Sequence, residues 1–330
     1  MPPSSDTAAT RAPARPLAQR LKGRNEPALL FSLIVLLVFF SLAGDTFLTQ
    51  RNLTNVLGQA AYPLIAGIGV AIVVLAGEID VSVGSLLGAV AIPLVEIMNL
   101  TGSLGFGIAA ALTFAALVGA VNGWLVAYAR INSLIVTLGM LFVLRGLIYL
   151  YTGQRAIPDK VYLESFYQIG NGRLLGILPY PAVAGIVVLA FFVWLLRHRR
   201  FGREIYAVGG NPEVARLAGY DVRRVKFLTF VISGLLTGIA GVMLSSRLGS
   251  AVHVTGLGFE FQVVAAVVLG GVSLAGGIGT LTGVALGVLI LMFLANGLGQ
   301  LNLPTEWQLV ITGLIIIVAV ALDEAQRRRG

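Results

Sequence analysis

Glu78 and Asp80 lie two residues apart in Gly77–Ser85 (GEIDVSVGS), between long apolar runs. An ionised acid near the centre of a bilayer costs about 2.5–3.5 kcal/mol or more. Such carboxylates must face a polar cavity, an interface or an internal partner. Ser82 and Ser85 add hydroxyls, and Gly77 and Gly84 permit a bend. One reading is a broken helix lining a hydrophilic pathway. The other is a short turn in which Asp80 caps a helix starting near Val83. The two are compatible.

A second stretch, Gly270–Thr280 (GGVSLAGGIGT), follows Glu260. So many glycines do not suit a helix interior. Near a membrane such backbone is tolerated only where protein or water satisfies it. It reads as a flexible segment near a pathway or gate, with Gly271, Ser273, Gly276 and Gly277 on it, or as a plain turn between two spans. Glu260 reads as a satisfied interfacial acid. The third stretch is Gly202–Gly219 (GREIYAVGGNPEVARLAG). Asn211 suits an N-cap, Pro212 the first helical position, and Glu213 the positive end of the dipole. Gly219 is placed to stop the helix. The spacing predicts about two turns of helix, carrying Arg216, either with the small residues Ala215 and Ala218 exposed for docking in a partner's groove or as a plain surface helix held by its own spans.

The scarce residues exclude other chemistry. There is no cysteine, and the two histidines, His198 and His253, are far apart, so no metal site is expected. Lys22, Lys160 and Lys226 are the three lysines, and none follows a glycine. A phosphate-binding Gly-Lys-Ser/Thr loop is therefore absent, and any nucleotide energy must come from another polypeptide. An intramembrane enzyme finds no nucleophile–base pair here.

These stretches need elements to hold them. Hydrophobic residues make up 57 % of the 330 and charged residues 12 %, with a mean hydropathy of +0.90. Soluble domains carry about 25 % charged residues, so the bilayer is the natural solvent. The expected fold is all-α and polytopic. Residues 1–27 read as a disordered basic tail, 28–323 as the membrane domain, and 324–330 as a second basic tail. Apolar segments fall near 28–43, 60–77, 83–98, 104–128, 132–151, 180–196, 227–246, 262–274, 280–299 and 306–322, which is about ten spans. The glycines beside 83–98 and 262–274 allow either to be a half-helix. The first run reads as an uncleaved helix rather than a signal peptide.

Charge sets the orientation. With both termini inside, 17 of the 23 basic residues fall inside, eight of them between Arg197 and Lys226. Only Arg51, Arg155, Lys160, Arg173 and Arg247 fall outside, and Arg145 lies within a span. The net charge of +8 is explained by this bias, without nucleic acid. VVLAG at Val73–Gly77 also echoes VVLGG at Val267–Gly271, which reads either as an internal duplication around a transport site or as chance, since Val, Leu and Gly dominate membrane spans.

In this order, GEIDVSVGS, Leu144-Arg145-Gly146, GREIYAVGGNPEVARLAG and AAVVLGGVSLAGG (Ala265–Gly277) resemble the permease family of bacterial ribose-type sugar ABC importers. The family also includes permeases for xylose, arabinose, galactose and autoinducer-2. The similarity runs from about Ala28 to Asp323. The family's usual run is Gly-Gly-Ile-Asp-Leu-Ser-Val-Gly; here Glu78 replaces the second glycine and Val81 the leucine.

The resemblance implies a multi-pass subunit of the bacterial cytoplasmic membrane that binds no cofactor itself. It would pair with a second permease, with ATP-binding subunits inside and a sugar-binding protein outside. The coupling-helix role falls on Asn211–Gly219. Both glycine-containing segments are implied to line or shape the pathway in an alternating-access cycle. The residues alone also admit an ion-coupled secondary transporter using Glu78 and Asp80.

Overall fold

The computed structural model describes residues 26–304 and, beyond them, helical positions 306–308, 310, 311, 313, 314 and 317. The tail through residue 25, much of segment 306–322 and the basic residues 327–329 lie outside the described residues. Within residues 26–304, thirteen helices run in order: α1 (Glu26–Ala43), α2 (Gln50–Leu75), α3 (Val83–Ala89), α4 (Ala91–Thr101), α5 (Leu104–Ala127), α6 (Ser133–Thr152), α7 (Glu164–Asn171), α8 (Tyr180–His198), α9 (Arg200–Gly210), α10 (Pro212–Leu217), α11 (Val222–Leu248), α12 (Phe259–Leu269) and α13 (Leu281–Gln300). Four two-residue strands, β1 (Ile157–Pro158), β2 (Arg173–Leu174), β3 (Leu178–Pro179) and β4 (Ser250–Ala251), form two antiparallel pairs, β1 with β4 and β2 with β3.

Among the described residues, eight helical segments are long and apolar enough to cross a membrane, taking α3 and α4 together. The segment expected at 83–98 is therefore a crossing, divided at Val90. The segment expected at 262–274 is not: α12 has only 11 residues. It is a half-helix, and irregular backbone from Gly270 to Thr280 joins it to α13.

α2 lies at the centre. Apart from Leu64, every residue from Ala60 to Leu75 is buried. This fits its sequence, which is apolar on all sides. α11 crosses α2 and α5 at close range because small residues meet at the contacts. A Cβ added at Gly234 would come within 2.5 Å of Ala115 O, and one at Gly119 within 2.5 Å of Phe230 O. α5, α6 and α8 keep apolar outer faces, among them Leu117, Phe142 and Ile186, that suit lipid chains. α1 is tied to α13 through the rings of Phe40, Phe47 and Phe293 and through Glu26, which accepts from Thr280 and Thr282.

The bundle has two distinct ends. One carries α9, α10 and the cluster Arg197–Lys226, and is called the basic end below. The far end carries α7 and the strand pairs, pinned to α11 where Gly170 N donates to Ser246 Oγ at 2.7 Å.

Gly234→Ala should destabilise the bundle by about 1–3 kcal/mol through overpacking. Gly139→Ala, which meets open space, should not. Thermal unfolding of the detergent-solubilised variants checks the contrast, and equal midpoints would contradict the close-packed crossing.

Candidate functional site

The sequence echo between the halves is also structural. α2 ends with Ala76 and then Gly77 at φ +82°; α12 ends with Gly270 and then Gly271 at φ +82°. Gly77 N donates to Val74 O at 2.9 Å and Glu78 N to Val73 O at 3.1 Å. Gly271 N donates to Val268 O at 2.9 Å and Val272 N to Val267 O at 3.2 Å. Both ends use a left-handed glycine to fold the chain back onto its last carbonyls. A β-branched or bulky residue there would be strained.

The segments beyond these turns differ. After Gly77 the chain places Glu78 against Lys226 of α11 in a largely buried ion pair. Ile79 N donates to Ser133 Oγ at 3.1 Å. Asp80 is only 2 % exposed and has no cation against it among the described residues. Its Oδ1 accepts from Ser82 N at 3.0 Å and Ser82 Oγ at 2.6 Å, and its Oδ2 accepts from Ser233 Oγ at 2.8 Å. Asn122 Nδ2 donates to Ser82 Oγ at 3.0 Å. The carboxylate thus joins the turn directly to α11 and, through Ser82, to α5. The expected cap is corrected in detail: Asp80 closes an Asx-type turn onto Ser82 N, and α3 starts after Ser82 with no side-chain cap.

Ser233 is the twelfth of the 27 residues of α11, so Asp80 sits about 16 Å along a helix of about 40 Å. At this middle depth α3 meets the start of α12. Gly84 packs against the Glu260 carboxylate and Gly256 O, and Gly88 against Thr255 O. Arg145 of α6 holds the incoming loop by donating to His253 O at 3.2 Å and Thr255 O at 3.0 Å. Glu260 is not the satisfied interfacial acid that was expected. It is 7 % exposed, and its Oε2, like Ser85 Oγ, has no partner among the described residues.

The predicted pathway residues therefore fall into two groups. Asp80, Ser82 and Ser85 lie in the middle of the bundle. Glu78, Gly271, Ser273, Gly276 and Gly277 lie at or toward the basic end, where Gly277 N donates to Leu75 O at 3.0 Å. Sequence reasoning missed Lys226, Ser233 and Asn122 as partners of the acids. A weak signal existed: Lys226 is the sole lysine among the eight basic residues of its loop.

The third stretch folds as two helices, not one. α9 ends at Gly210, and Asn211 is both its C-cap and the N-cap of α10. Asn211 Oδ1 accepts from Glu213 N at 3.0 Å and Val214 N at 3.1 Å. Pro212 takes the first position, Glu213 pairs with Arg216, and Gly219 turns the chain at φ +84°. One expectation is overturned. Ala215 is buried, because its face of α10 packs into the bundle core; Ala218 is exposed as expected, and Val214 and Leu217 are the large exposed apolar residues.

Lys226→Met leaves Glu78 largely buried and unpaired, which should cost about 3 kcal/mol. Glu78→Gln with Lys226→Met should recover most of it. Thermal unfolding of both variants in detergent decides; a double variant no more stable than the single one would contradict the pairing.

Comparison with known proteins matches this architecture. Residues 52–320 match the family described as branched-chain amino acid transport system / permease component. The L-arabinose ABC transporter permease protein AraH of Azospirillum brasilense is 41 % identical, over 99 % of this chain and 95 % of its own length. The ribose import permease protein RbsC of Escherichia coli K12 is 39 % identical, over 90 % of this chain and 93 % of its own. The xylose transport system permease protein XylH of the same strain is 33 % identical, over 90 % and 91 %. With broken helices, a capped helix at the basic end and this coverage, the chain belongs to that family of transport-system permease components.

Proposed function

We propose that this chain is the membrane permease subunit of an ATP-dependent sugar importer of the bacterial cytoplasmic membrane, with both termini in the cytoplasm. The relatives are named for L-arabinose, ribose and xylose, so the proposed cargo is an aldopentose or a similar monosaccharide. The reading is carried by the match of nearly the whole chain to these permeases, in a sequence with no Gly-Lys-Ser/Thr loop of its own.

In this reading the basic end is cytoplasmic and meets a separate ATPase. α10 is the docking element, presenting Val214 and Leu217 beside Arg216. A binding protein delivers sugar at the far end, and a second permease, identical or related, completes the pathway. The chain itself hydrolyses nothing and needs no cofactor. ATP closure moves α10, and the middle of the bundle opens alternately to the two sides. Ser85, whose hydroxyl has no partner among the described residues, then offers sugar hydroxyls a transient hydrogen bond, while Asp80 and Ser82 hold the turn that lines the path. Glu78, Gly271, Ser273, Gly276 and Gly277 shape the exit.

The acids favour this over ion coupling. Glu78 is already neutralised by Lys226, and Asp80 already accepts three hydrogen bonds. A coupling carboxylate needs room for its ion.

Replacing Asn211-Pro212 with Gly-Gly removes the side-chain acceptor of α10, worth about 1 kcal/mol, and the residue that preorganises its first turn. ATP-driven uptake into vesicles should fall to background while the protein still inserts. Normal uptake would contradict the docking role. Uptake driven by an ion gradient without ATP would replace the importer reading altogether.

A further inference from the structure

The C-terminal end of α9 is wedged between the two duplicated turns. A Cβ added at Gly209 would overlap Leu75 O and come within 2.7 Å of Gly277 N. One added at Gly276 would come within 2.8 Å of Gly77 Cα and 2.7 Å of Gly209 O. Gly277 N donates to Leu75 O at 3.0 Å, joining the end of α2 to the segment that follows α12. Tyr206, one turn earlier on α9, donates its hydroxyl to Gly279 O at 2.9 Å. The contact is backbone against backbone, so no side-chain rotamer can absorb a displacement. Packed interiors of this kind transmit strain. Asn211 caps both α9 and α10, so Gly209 stands three residues from Pro212, the exposed first residue of α10.

We infer that Gly209, with Tyr206 beside it, is the joint through which the docking helix acts on both broken helices at once. The inference rests on the importer reading proposed above. The joint touches the turn ending α2 and the segment following α12, which are the equivalent places in the two halves. A push on α10 therefore reaches Asp80, through the turn 76–82, and α12, through 270–279, in one movement. Gly209 and Tyr206 are positioning residues; neither needs to touch sugar.

Burial pushes the Tyr206 hydroxyl up to about 12. It stays protonated and donating at any pH at which cells grow.

The neighbouring glycine supplies the control. A Cβ at Gly210 meets nothing within 4 Å, and Gly210 has no left-handed backbone. The test uses the intact importer, purified through a tag on this chain and reconstituted with its binding protein, with L-arabinose, ribose and xylose as probes. The readout is sugar transported per ATP hydrolysed, which a merely structural role would leave unchanged. Gly209→Ala should lower that ratio on the order of tenfold, within the range of typical coupling free energies, while hydrolysis and subunit association persist. Gly210→Ala should match the wild type.

An unchanged ratio in Gly209→Ala overturns the joint alone. Wild-type uptake that ignores ATP overturns the importer reading, and the joint with it. Should Gly209→Ala fail to insert, Tyr206→Phe carries the same test. It removes one hydrogen bond and should lower the ratio by a smaller factor; an unchanged ratio there overturns the joint.

Discussion

Within an apolar bundle a backbone N–H, a carbonyl or a charge that the protein itself leaves unsatisfied is costly. The rest of this structure follows from how that constraint is met at two interrupted helices. α2 ends, and α12 ends, on the same left-handed glycine turn, which returns the exposed carbonyls to hydrogen bonds. Beyond the first turn, Asp80 spends its two oxygens on Ser82 and Ser233, and Glu78 is neutralised by Lys226. Beyond the second, Ser273 N and Gly276 N find partners inside their own loop. Each interruption is thus a built object with fixed neighbours. It can be moved as a unit, which an unsatisfied loop could not.

The elements and the turns were legible in the sequence. Runs of apolar residues locate spans, and the glycine pairs locate their ends, because both are local consequences of composition. The cap at Asn211 was legible for the same reason: its partners are two and three residues away. Partners far along the chain were not. Lys226 is 148 residues from Glu78, and Ser233 is 153 from Asp80. Nothing in the local pattern of α11 marks either residue as the one that meets a carboxylate. Ala215 shows a related limit. A six-residue helix is too short for periodicity to say which face turns inward, and of the two alanines chosen for docking one, Ala215, is buried while Ala218 is exposed. Arg145 was visible as a rare charge within a span and Glu260 as an acid at a span's edge, but their placement around the loop before α12 needed the fold.

These parts divide the work. The outer helices α5, α6 and α8 present apolar faces to lipid. The middle of the bundle holds its polar atoms, including buried oxygens, without partners among the described residues, on Ser85, Asn122, Thr237 and Glu260. The basic end holds the capped α10 and the glycine contacts that connect it to both interruptions. In the importer proposed above, selectivity for the sugar is assigned mainly to the binding protein, and the permease would supply a path of low affinity opened from the ATPase side.

The central claim is that α10 and the two turns move as one body. The chain has no cysteine, so spin labels can be placed at Leu217→Cys on α10 and Leu274→Cys in the second turn without first removing any native cysteine. The distance between them should be measured by pulsed electron resonance in the intact importer, without nucleotide and with a non-hydrolysable ATP analogue. The account predicts one narrow distribution, the same in both states. A distribution that shifts on nucleotide binding, in a labelled complex that still transports, would contradict it.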